Sequence, residues 1–129
     1  MNFKAYLNIN FIFIFLFSIL SSQAFAVEDE IEFNSNINQL SAKSLKDKGK
    51  VIDLLIESSN PNVEKVLQSL LEGKVFFVKK DKTIVLVKKN KNEFFAKDII
   101  TGKSLGIFSK RQIKKVTINN SIRKKIKSG

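Results

Sequence analysis

The chain has no cysteine, no histidine and no tryptophan, and a single proline, in 129 residues. Without cysteine there is no disulfide framework and no thiolate metal site. Without histidine, the commonest general base and the commonest metal ligand are gone. An enzyme built from what remains needs a carboxylate pair or an activated lysine. No motif places one: Asp81, Glu93 and Asp98 fall at expected turns or strand ends, where solvated capping is the ordinary role. The chain is therefore read as non-catalytic, with no metal and no cofactor.

Arginine is scarce as well. Of 23 basic residues, only Arg111 and Arg123 are arginine, the side chain suited to forked phosphate and base contacts. That scarcity argues against nucleic acid as a partner, despite a formal net charge of +11. Acidic residues are unevenly distributed. From Val27 to Glu72 there are five lysines against nine acids, a net of −4. From Gly73 to Gly129 there are seventeen Lys/Arg against three acids, a net of +14. The lysines often stand in pairs after apolar runs (79–80, 88–89), positions that protect strand edges and turns. The basic half also admits an anionic partner.

Only one long apolar run occurs. Lys4 precedes "FIFIFLFSIL" (11–20), then "SSQAFA" ends in Ala24-Phe25-Ala26, before acidic Glu28-Asp29-Glu30. A positive start, a short greasy centre and small residues before the junction describe a secretory signal cleaved after Ala26. The rival is a retained anchor. Its apolar stretch back to Tyr6 is about fifteen residues with Asn8 and Asn10 inside, short of the roughly 20 that a spanning helix needs. Export to the periplasmic side of the inner membrane leaves no ATP supply, so no ATP binding is expected.

The expected class is α+β: a helical hairpin packed on a small antiparallel β-meander, with short C-terminal helices. Residues 1–26 are the signal, and 27–38, polar and without a sustained period, a flexible lead-in. Residues 39–73 form the hairpin, 74–118 a small sheet with a short helix, and 119–129 the start of a further helix. In the hairpin, Leu40, Leu45, Val51, Ile52, Leu55 and Ile56 recur at helical intervals, with a break expected at Gly49. Asn60 is a good cap, Pro61 suits the first helical position, and Gly73 suits a left-handed stop. Between them Val63, Val66, Leu67, Leu70 and Leu71 make one stripe. Such a helix pair reads as a HEAT-type repeat. "KVFFVKK", "TIVLVKK" and "EFFAKDI" then read as three strands joined by tight turns. Four consecutive apolar residues at 75–78 and 84–87 imply that both sheet faces are at least partly covered, with the helices on one side. Ser109 is placed to cap a short helix over 110–116, and Asn119 or Asn120 another over the last residues.

"TGKSLG" (101–106) contains the Gly-Lys-Ser of phosphate-binding loops. Such a loop needs glycine at position 97, where Lys97 stands, and must open a helix. Both conditions fail. Thr101, Gly102 and Gly106 are instead read as a structural turn and bulge.

The ordered set Leu70-Leu71-Glu72-Gly73, then Thr101, Gly102, Leu105 and Gly106, then Val116, Ile118, Asn119, Asn120, Ile122 and Arg123 carries a resemblance. Over about residues 50 to 127, the chain resembles the amino-terminal extracytoplasmic region of a urea ABC transporter permease, of the kind that sits within the branched-chain amino-acid permease family. Members of that family continue into a multi-spanning domain that passes urea. This chain resembles only their first part, as a truncated or split product or a stand-alone relative would. The resemblance implies an exported module assisting urea uptake through contacts with the remaining permease or the solute-binding protein, next to the inner membrane. It also marks Asn119, Asn120 and Arg123 as candidate interface residues. The alternative is an independent periplasmic module binding an anionic partner.

Overall fold

Ser44 is followed by a 3.6-residue apolar period, and its hydroxyl accepts the Asp47 N–H at 3.4 Å to open the longest helix of the chain's described residues. The computed structural model describes residues 30–129. The expected signal at 1–26 and the residues just after it lie outside the described ones. Residues 30–38 are helical (α1) and run into a 3-10 turn, Gln39–Ser41. Helices Leu45–Glu57 (α2) and Val63–Leu71 (α3) follow, and Asn120–Ser128 (α4) is the last element. Between α3 and α4 lie five strands: Val75–Val78 (β1), Ile84–Asn90 (β2), Glu93–Asp98 (β3), Ser104–Phe108 (β4) and Ile113–Lys115 (β5). The protein is α+β. No helix among the described residues is long and apolar enough to cross a membrane.

The flexible lead-in expected for 27–38 needs correction over its described part. Phe33 and Ile37, four residues apart on one face of α1, are buried and join the main core. Two apolar anchors in a polar stretch leave little periodic signal, yet their burial is enough to fix the helix. The break expected at Gly49 is also absent: α2 runs through it. Glycine within a helix costs only about 1 kcal/mol relative to alanine, and packing of Val51, Ile52 and Leu55 outweighs that.

α3 starts two residues later than its cap residue suggested. Asn60 Oδ1 accepts the Asn62 N–H at 2.9 Å, and Pro61 sits in that turn rather than in the helix. The far end is as expected. Gly73 has φ +70° and Lys74 N–H donates to the Ser69 carbonyl at 3.0 Å, the bond pattern of a left-handed stop. A methyl group added at Gly73 would meet the Lys115 Nζ at 2.7 Å, a flexible end that can swing away. Gly73→Ala is thus expected to cost about 1–2 kcal/mol, mostly from the backbone conformation, readable as a lower urea midpoint.

The sheet is antiparallel, in the order β4-β3-β2-β1-β5. β1 to β4 form a meander, and β5 returns to pair with β1, Phe76 opposite Lys115 and Val78 opposite Ile113. The short helix expected over 110–116 is therefore corrected to a turn at 110–112 followed by β5. Its Lys, Arg and Gln have good helix propensity, but propensity is a weak prior against pairing. Lys79 N–H donates to the Gln112 carbonyl and Val116 N–H to the Val75 carbonyl, both at 2.9 Å. Those bonds close an edge that β1 would otherwise leave open.

Both sheet faces carry buried apolar side chains. One carries Val75, Phe77, Ile84 and Ile99 into the core with α1, α2, α3 and α4. On the other, Val78, Val85, Val87, Phe94, Ala96 and Ile113 cluster with Phe76 and Phe108. The cluster runs across the whole sheet, from Phe108 on β4 to Ile113 on β5, its two edge strands. The Phe76 and Phe94 rings meet there at 6.1 Å.

Candidate functional site

The sheet face turned away from the helices holds a cleft lined by lysines. Its floor is Phe76 from β1, Val87 from β2, Phe94 from β3 and Ile113 from β5. These residues point to one side because side chains alternate along a strand. Around the floor stand Lys74 and Lys79 from the ends of β1, Lys88 and Lys89 from β2, Lys110 from the β4–β5 turn, and Lys114 and Lys115 from β5. They line an open cleft of ≈ 850 Å³, and among the described residues no carboxylate lines it.

Among the described residues, Lys74 alone of these seven has an ion pair, 2.9 Å from Glu72. The Lys74 ammonium also holds the Glu72 carboxyl below its ordinary range, chiefly by hydrogen bonding. Lys89 and Lys115 stand on the floor's own face, opposed to Phe94 and Phe76, whereas Lys88 and Lys114 line the cleft from strand positions that belong to the other face. Walls of low polarity focus the field of such charges and raise the local concentration of an anion. Lys89 Nζ lies 5.7 Å from the Phe94 ring centre, so floor and rim are in contact. Ammonium groups are point charges on flexible stems, suited to a spread of negative charge rather than forked recognition of one group. The arrangement can bind anions. It offers no paired acid and base for proton transfer.

The residues singled out in the sequence lie elsewhere. Gly102 (φ +73°) and Gly106 (φ +99°) are in the left-handed region, and the β3–β4 pairing skips a residue opposite Ala96 and Lys97. Asp98 Oδ1 accepts the Ile100 and Thr101 N–H groups at 2.9 and 3.0 Å, and Thr101 Oγ1 accepts that of Lys103 at 3.2 Å. "TGKSLG" is a strand connection with a bulge. Asp81 likewise serves a turn: its carboxyl lies below the ordinary range because the Thr83 N–H donates to it.

Asn119 Oδ1 accepts the Ile122 N–H at 2.9 Å, which caps α4, and Asn120 is exposed beside it. Arg123 Nη1 donates to the Leu71 carbonyl at 3.2 Å, tying α4 to the last turn of α3. Two of the three thus have structural work. Asn119→Ala is expected to cost about 1 kcal/mol, with Asn120→Ala nearly neutral, as thermal melts of the two variants would report.

Lys48 is the one charged side chain buried among the described residues. Its Nζ donates to the Thr117 carbonyl at 3.0 Å and the Thr117 hydroxyl at 3.3 Å, joining α2 to the segment between β5 and α4. Burial, and then repulsion from Lys114, hold its pKa below the ordinary 10.5. In the alkaline window between the folded value and 10.5, the unfolded chain binds more protons. Stability therefore rises with pH through that window, and the cost of the buried charge is fully present below it. Lys48→Met is expected to flatten this rise in denaturation midpoints measured from neutral pH upward.

The cleft is hidden in the sequence for a definite reason. Its lysine pairs read as edge protection, and 114–115 fall within the expected helix. Only the pairing of β5 with β1, which sets Lys115 beside Phe76, assembles the rim. No family model, no curated protein and no solved structure matches the chain.

Proposed function

We propose that this chain is a non-catalytic, exported binding module that holds an acidic protein partner in the lysine-rimmed cleft. The observation that carries the reading is a cleft with an apolar floor that lysines line and, among the described residues, no carboxylate does. The absence of histidine and cysteine fits a role in binding rather than chemistry. The resemblance to the extracytoplasmic region of urea-transporter permeases supports a transporter component as the partner, so that the module assists urea uptake by contact alone. Without such a transporter, the same cleft serves an independent periplasmic module for an acidic protein.

Polyglutamate is a suitable probe. Its affinity for the protein should fall steeply as salt rises, because exposed charges are screened within about 10 Å at 0.1 M ionic strength. An affinity indifferent to salt, or no binding at low salt, rejects the reading.

A further inference from the structure

Three of the six large hydrophobic side chains left exposed among the described residues are Phe95 (39%), Leu105 (39%) and Ile107 (56%), all on β3 and β4. Their clustering is what separates them from scattered surface apolar residues, which need no explanation. Phe95 lies directly across from Ile107 on one side and from Lys88 on the other, and Leu86 lies across from Lys97. Directly opposed residues share a face. One face thus carries Leu86, Phe95 and Ile107 interleaved with Lys88 and Lys97. The helices cover this same face at Val75, Phe77 and Ile84 and leave its β3–β4 end bare. β4 is the outermost strand and contains neither a charge nor a proline, the usual protections of an edge.

We infer that this bare end of the sheet docks on an anionic lipid bilayer. Phe95, Leu105 and Ile107 enter the headgroup boundary, and Lys97 and Lys103 meet the acidic headgroups. Apolar side chains ringed by lysine are the composition that binds such an interface, each component reinforcing the other. Charge decides among occupants. A second copy of a chain with net charge +11 would bring lysine against lysine, whereas an anionic bilayer is complementary to both parts of the patch. Phe95 and Ile107 lie on the face opposite to the Phe76 and Phe94 floor, so the inference goes beyond the cleft reading and fails separately from it.

The chain contains no tryptophan, so Ile107→Trp in the full-length protein introduces a single local reporter. On vesicles of phosphatidylcholine with phosphatidylglycerol, the introduced indole should shift to shorter wavelength and be quenched by brominated lipid. Leu54→Trp, at an exposed site on α2, should do neither, and this separates the face from any contribution of the apolar leader. Phe95→Ser with Leu105→Ser should lower vesicle partitioning about tenfold. Lys97→Gln with Lys103→Gln, which touches no lysine of the cleft, should abolish the preference for the anionic vesicles. An unshifted indole at 107 overturns the inference, as does an equal shift on pure phosphatidylcholine. So does a shift that grows with protein concentration in the absence of vesicles, which would assign the face to self-association.

Discussion

Leu55→Ala should cost about 2–5 kcal/mol of folding stability, the range for emptying a fully buried leucine site. Leu55 has no exposed surface and belongs to the cluster that joins α1, α2, α3, α4 and one face of the sheet. Ile52, Leu70, Val75 and Ile122 belong to the same cluster, so the hole cannot collapse without moving both layers. A domain of this size has about 5–15 kcal/mol in total, so the loss is a large share of it. Leu54, next in the chain, is 44% exposed on the outer side of α2. Leu54→Ala should change stability by no more than about 0.5 kcal/mol. Urea denaturation of the pair measures both, and similar midpoints for the two would contradict the assigned packing.

The second large effect concerns binding. Lys89 and Lys115 are opposed across strands to Phe94 and Phe76, so both stand over the cleft floor. Both are exposed, and neither has an ion pair among the described residues. Lys89→Glu with Lys115→Glu should therefore leave the fold intact. It should weaken polyglutamate binding on the order of a hundredfold at low ionic strength, shrinking as salt is added. The loss should appear largely in the association rate, since rim charges steer encounter.

What the sequence reveals about the fold follows from where its signals are local. The α3 stripe and the Gly73 stop are readable because each depends on neighbours within one turn. The β1–β2 turn is readable from its position between two β-branched runs, and Lys82 there takes a positive φ of 64°. "TGKSLG" is readable as a turn because a phosphate loop demands a glycine that Lys97 replaces. Apart from the start of α3, the misses are long-range. α1 is held by Phe33 and Ile37 against residues far along the chain, and α2 keeps its course through Gly49 because its other face is packed. β5 is three residues long and exists because β1 needs a partner. The cleft inherits that last difficulty: its rim cannot be assembled while Lys114 and Lys115 are placed in a helix. The cap by Asn119 is legible in the sequence, whereas the use of Arg123 is not. Their side chains are spent on the Ile122 N–H and the Leu71 carbonyl.

Position, rather than total charge, is what the cleft account requires. Polyglutamate affinity at low ionic strength should be compared between Lys89→Glu with Lys115→Glu and an equal reversal on the helices, Lys46→Glu with Lys65→Glu. The account predicts a loss at least about tenfold greater for the cleft pair, since only those charges share one space with the other lysines. Equal losses from the two double variants would mean that net charge alone attracts the probe, and would contradict it.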